Sequence, residues 1–167
     1  MDLVALAPRW AILIFVALLL LAALQDLVQL KISNVLCGAL LLLVVVVAVT
    51  VGLTASGWQN LAAFVAVLGI GTWLFSRELI GGGDVKLLAV TVPWFDLAGQ
   101  FRLLVAIAIC GGLLALLIIV ARKIPLRPTV RPRIATLQPK AGIPYGVAIA
   151  AGAILTVLLM SDGRIAR

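Results

Sequence analysis

No histidine occurs in the 167 residues, which removes the commonest general base and the commonest metal ligand together. Zinc-protease and Ser-His-Asp chemistries are excluded on that ground, and no metal site or cofactor is expected. Charge is scarce too: 11% of residues are Asp, Glu, Lys or Arg, and six of these are acids, against about 25% charged in a soluble domain. The two cysteines, Cys37 and Cys110, stand far apart within apolar stretches. Without a Cys-x-x-Cys spacing they form neither a zinc knuckle nor a redox pair, and they read as small buried hydrophobes.

What the chain has in excess is apolar surface. Hydrophobic residues make up 65% of it and the mean hydropathy is +1.30, so the expected fold class is an all-α membrane protein. At about 20 residues per crossing, residues 1–167 hold about six transmembrane helices as a single polytopic domain. The net charge of +7 then reflects loops facing anionic lipid, and no nucleic-acid partner is expected.

The first span is predicted from Trp10 to Leu24, ended by Gln25-Asp26; no small-residue cleavage site follows it, so it is not read as a cleavable signal. A polar connector, Leu27 to Asn34, carries Lys31 and offers Ser33 or Asn34 as a helix cap. Spans are then predicted at Val35–Leu53 and Leu61–Phe75. A fourth, Asp84 to Phe95, is too short for an ordinary crossing: either it extends through Asp96 towards Gly99 or the bilayer thins around it. Leu103–Ala121 is the fifth span. Residues 122–140 alternate basic residues with Pro125, Pro128, Pro132 and Pro139, giving an extended basic loop, and Ile143–Met160 is the sixth span. With the loops carrying Lys31, Arg77, Lys86 and residues 122–140 on the cytoplasmic side, the basic residues split nine inside to four outside. That satisfies the positive-inside bias and places both termini on the non-cytoplasmic side.

Two acids are out of place in such a chain. Asp26 closes the first span, and Asp84 follows Gly81-Gly82-Gly83 at the start of the fourth. A charge at membrane depth costs roughly 2.5–3.5 kcal/mol on insertion scales, so it ordinarily faces a polar interior and does chemistry or transport. The topology brings both acids to one membrane face. Two neighbouring carboxylates cannot both ionise cheaply; one then activates water while its protonated partner donates to the carbonyl oxygen or the leaving amine. The glycines are expected to supply backbone angles that other residues avoid and room for a substrate to approach. Lys86 reads as an interfacial cation whose stem lies along apolar surface, and Glu78 as a loop acid. On the dipole of each acid's own helix, Asp84 is the expected base and Asp26 the expected holder of the shared proton.

The segments Asp26-Leu-Val-Gln-Leu-Lys-Ile32-Ser33-Asn34, Gly81-Gly82-Gly83-Asp84-Val85-Lys86-Leu87 and Ile143-Pro144-Tyr145-Gly146, in this order, resemble those of the bacterial type IV prepilin peptidases, membrane aspartyl proteases of the GxGD type. The resemblance covers nearly the whole chain. It implies that Asp26 and Asp84 are the catalytic pair and that short basic leaders are removed from prepilins at the cytoplasmic face of the inner membrane. It also makes Gly81, Gly82, Gly83, Lys86, Asn34, Pro144, Tyr145 and Gly146 substrate-binding or site-shaping residues. Starting at the protease core without a cysteine cluster, the chain resembles the short form associated with Flp-type (Tad) pili, which lacks the methyltransferase region. Ser33 departs from the family pattern, where proline often precedes the asparagine. The loop 122–140 is expected to meet anionic headgroups, since it would repel a basic leader.

Two other classes compete. A proton- or cation-coupled transporter would show inverted repeats and acids near the membrane midplane; no repeat is evident and both acids fall at segment ends. A non-catalytic pilus-assembly scaffold would tolerate loss of either acid.

Overall fold

The computed structural model describes residues 1–52, 57–123 and 142–165. Every regular element among them is helical: α1 (Leu3–Leu6), α2 (Arg9–Gln29), α3 (Asn34–Val51), α4 (Gly57–Ser76), α5 (Gly82–Thr91) with a 3-10 turn at Val92–Trp94, α6 (Leu97–Lys123) and α7 (Tyr145–Ile165). Four of these, α2, α3, α4 and α6, are long and apolar enough to cross a membrane, and α7 is apolar over Tyr145–Ser161. The chain is an all-α, multi-pass membrane protein.

Local chemistry sets the boundaries. α2 does not stop at Asp26 as expected; it runs one further turn to Gln29 and ends at Leu30, which takes the left-handed conformation (φ 52°) with its N–H on the Asp26 carbonyl. A non-glycine residue there is strained by roughly 1–2 kcal/mol, so surrounding packing must hold the turn. Of the two expected caps for α3, Ser33 acts: its Oγ accepts the Leu36 N–H at 3.3 Å. The Ser33 N–H also donates to Gln25 Oε1 at 3.0 Å, tying the connector back to α2. Proline at this position would have no N–H to give.

The short fourth segment does not extend through Asp96. α5 ends at Thr91, the 3-10 turn follows, and Asp96 instead begins α6, its Oδ1 accepting the Gly99 N–H at 2.8 Å. At 1.5 Å per residue the ten residues of α5 are about 15 Å long. Their far end is fixed by Asn60 at the start of α4, whose Nδ2 donates to the Pro93 carbonyl (2.6 Å) and the Met1 carbonyl (2.8 Å) while its Oδ1 accepts the Met1 amine (3.0 Å). The segment before Trp10 is thus part of the core: Met1, Leu3 and Val4 are buried.

Packing is densest around α7. It has its most extensive contact with α6 and also packs on α2 and α5. At Gly152 the two backbones approach so closely that a Cβ would lie 2.7 Å from the Ile107 nitrogen, the small-residue contact that membrane helices use where burial of apolar surface provides no driving force. Phe15 of α2 stacks on Trp94 with ring centroids 4.2 Å apart, both fully buried. α4 packs chiefly on α5 and the 3-10 turn and is the least buried long helix.

Candidate active site

Asp26, on the last full turn of α2, is 4% exposed. Its Oδ2 accepts the backbone N–H of Gly146, at the start of α7, at 2.7 Å, and the next amide, Val147, faces the same carboxylate. Asp84, on the first turn of α5, is half-buried and lines the same two cavities as Asp26. Three helices therefore converge, and the two acids meet over the N-terminus of the third. The first N–H groups of a helix have no partner within it, so α7 offers donors that hold a buried carboxylate in one orientation. Because Asp26 lies in this second helix field, an assignment of the proton from the dipole of each acid's own helix loses its basis.

Of the two roles expected of the glycines, the unusual backbone angles are not found. Among the described residues the only glycine with positive φ is Gly52, so Gly81, Gly82 and Gly83 hold ordinary backbone angles. What they supply is space. A Cβ at Gly81 would lie 2.8 Å from Asp84 Oδ2, one at Gly82 3.2 Å from the Phe75 ring, and one at Gly83 3.2 Å from Ile32 Cβ. Gly146 is tighter still: a Cβ would stand 2.8 Å from both Asp26 Oδ2 and Ile32 Cδ1.

The other expected site residues divide. Lys86 is exposed and donates from Nζ to Asn34 Oδ1 at 2.9 Å, so these two meet each other and pin α5 to the start of α3. Pro144 is buried directly before α7 and its carbonyl accepts the Val147 N–H at 3.2 Å. Tyr145 is half-exposed beside the acids. Sequence reasoning missed Leu30 and Ile32 as wall residues, because aliphatic side chains carry no chemical signature, and it missed the Gly146 amide because a backbone donor has no side chain to read. Residues 124–140 of the expected basic loop lie outside the described residues.

Two cavities meet at the acids. A cleft of about 340 Å³ is bounded by Leu30, Lys31 and Ile32 of the connector, by the three glycines and by both acids. A groove of about 640 Å³ begins at the same two acids and continues between α4, α5 and α7 along a largely aliphatic wall. No group of three or more Cys, Asp or Glu side chains able to hold a metal is found among the described residues.

A bundle of this kind, with paired carboxylates at one end and cavities leading to them from two sides, belongs to the class of multi-pass membrane proteins built around acids. The chain matches the profile of the type IV leader peptidase family over residues 13–161 and belongs to that family. It is accordingly a membrane peptidase of the leader-peptidase type. Comparisons with curated proteins and with solved structures gave no match.

Proposed function

We propose that the protein is an aspartic-type endopeptidase that removes the short basic leader from Flp-type prepilins, with Asp26 and Asp84 as the catalytic pair. The observation that supports this most directly is that both carboxylates line the same cleft, with Asp26 held there by the Gly146 amide. One carboxylate takes a proton from water, whose oxygen attacks the scissile carbonyl carbon, and the other protonates the carbonyl oxygen. Collapse of the tetrahedral intermediate breaks the C–N bond and passes a proton to the leaving amine. The acids alternate as acid and base, so they titrate and act as one unit. No histidine and no metal is required.

In this reading residues 1–167 form one domain in the bacterial inner membrane, with α5 and α7 completing six crossings beside the four long helices. The acids face the cytoplasm, both termini lie on the opposite side, and the loop 122–140 rests on anionic headgroups. The test is co-expression with a Flp-type prepilin, read by gel mobility and by the mass of the new N-terminus. Wild type is expected to cut after the leader, and Asp26→Asn and Asp84→Asn, each inserted normally, to leave the precursor intact. Full processing by either variant removes that acid from the mechanism.

A further inference from the structure

The connector between α2 and α3 is tied to α2 at both ends. The Leu30 N–H donates to the Asp26 carbonyl at 2.8 Å, and the Ser33 N–H donates to Gln25 Oε1 at 3.0 Å. Ile32, between these two anchors, is therefore held in register with the backbone of Asp26. Its side chain is half-buried against the hydrophobic core and reaches two other helices. Ile32 Cβ lies 3.2 Å from where a Cβ would stand at Gly83, the second residue of α5, and its Cδ1 lies 2.8 Å from the same point at Gly146, the second residue of α7. Gly83 directly precedes Asp84, and Gly146 gives its N–H to Asp26. Both contacts are with glycine, so Ile32 abuts backbone that has no side chain to swing aside.

We propose that Ile32 is a positioning residue, a spacer between the first turns of α5 and α7 that sets the separation of Asp26 and Asp84. The proposal rests on reading those acids as the cleaving pair. A spacer must be stiff, and branching at Cβ restricts χ1. Its two ends act on different partners: Cβ on Gly83 and the acid after it, Cδ1 on Gly146 and the amide that holds Asp26. Removing this bulk lets the two helix starts close in. Carboxylates brought closer together resist double ionisation more strongly, and the interval between their titration steps grows. A side chain that merely filled space would alter stability and leave that interval alone. Among the described residues, the titratable side chains bordering the acids' cavities besides the pair are Lys31 and Tyr145, while Lys86 of α5 is engaged with Asn34. None of the three is altered in the variants below, so a change in the interval belongs to the pair.

Purified enzyme is assayed for cleavage of a Flp-type prepilin, and its two carboxyl groups are titrated by infrared spectroscopy without substrate, with Asp26→Asn and Asp84→Asn assigning the bands. Ile32→Ala is expected to lower kcat about 100-fold, the cost of misplacing a reacting group by about 1 Å. It is also expected to widen the interval between the two titration steps by about one pH unit, the strength at which interacting acids behave as a coupled pair. Ile32→Val loses only Cδ1 and keeps Cβ against Gly83, so it is expected to fall between Ile32→Ala and wild type in both readouts. Ile32→Leu, which conserves volume, is expected to recover most of kcat. Where Ile32→Ala fails to insert, Ile32→Val carries both readouts. An interval that is unchanged or narrower in these variants, whatever their thermal stability, overturns the proposal, as does a loss of kcat in Ile32→Leu equal to that in Ile32→Ala. A widened interval together with undiminished cleavage by Asp84→Asn would instead fault the catalytic reading and leave the spacer standing.

Discussion

At the residue scale the decisive contact is a backbone amide on a buried acid. Asp26 is held by the Gly146 N–H at 2.7 Å, and a methyl group at Gly146 would enter within 2.8 Å of the same oxygen. Gly146→Ala is therefore expected to lower kcat roughly 100-fold, the penalty of misplacing a reacting group by about 1 Å, with KM little changed. Gly112→Ala, where the added Cβ meets nothing within 4 Å, is the control and should be silent in the same kinetic assay. Gly81→Ala is expected to act on Asp84 as Gly146→Ala acts on Asp26. Ser33 supplies two hydrogen bonds where the family often has proline; Ser33→Ala keeps the N–H but loses the cap, and is expected to reduce stability by about 1 kcal/mol, measured as a shift in thermal unfolding in detergent. The acids themselves were legible in the sequence because a charge inside an apolar run is conspicuous. Of the two roles read for the glycines, the unusual backbone angles fail, since composition reveals a missing side chain but not whether it answers a backbone angle or a crowded neighbour.

At the scale of elements, long apolar runs made α2, α3, α4 and α6 legible, and the punctuation between them was harder. Whether the fourth helix ran on through Asp96 was left open by the sequence, and Asp96 proved to be the cap of α6; a carboxylate at a helix start and one within a helix look alike without the turn around them. The burial of Met1, Leu3 and Val4 was invisible for another reason: a four-residue helix leaves no periodicity to read. Two contacts fix how the elements meet. Asn60 joins the Met1 segment, α4 and the 3-10 turn through three hydrogen bonds, and Asn60→Ala would leave buried donors and acceptors unpaired at roughly 1–3 kcal/mol each. That variant is expected to unfold at lower temperature while retaining kcat at 20–25 °C, because it lies at the opposite end of α5 from the acids. Gly152→Leu, forced against the Ile107 backbone, is expected to separate α6 from α7 and to lose both stability and activity, since α7 carries the amide that holds Asp26. Retention of full activity in Gly152→Leu would show that the α7 N-terminus is not needed in its present place.

At the scale of the molecule, three helices that are distant in sequence bring their ends to one point: the end of α2, the start of α5 and the start of α7. The hydropathy pattern foretold that Asp26 and Asp84 share a face, because two crossings lie between them and an even number returns the chain to the side it left. It did not foretell that α7 would hold Asp26, since nothing in the composition of Pro144-Tyr145-Gly146 marks a backbone donor. The proposed orientation is open to reporter fusions: those at residues 31, 79 and 130 are expected to report the cytoplasm, and those at residues 55 and 98 and at both termini the opposite side. The central claim is that the two carboxylates act as one catalytic unit, and it is tested most directly by the kcat of purified wild type, Asp26→Asn, Asp84→Asn and the double variant on one prepilin. Groups that act together are strongly non-additive, so each single variant is predicted to lose roughly 1000-fold or more and the double variant to lose no more than either single. Independent, multiplying losses, or substantial turnover in either single variant, would contradict it.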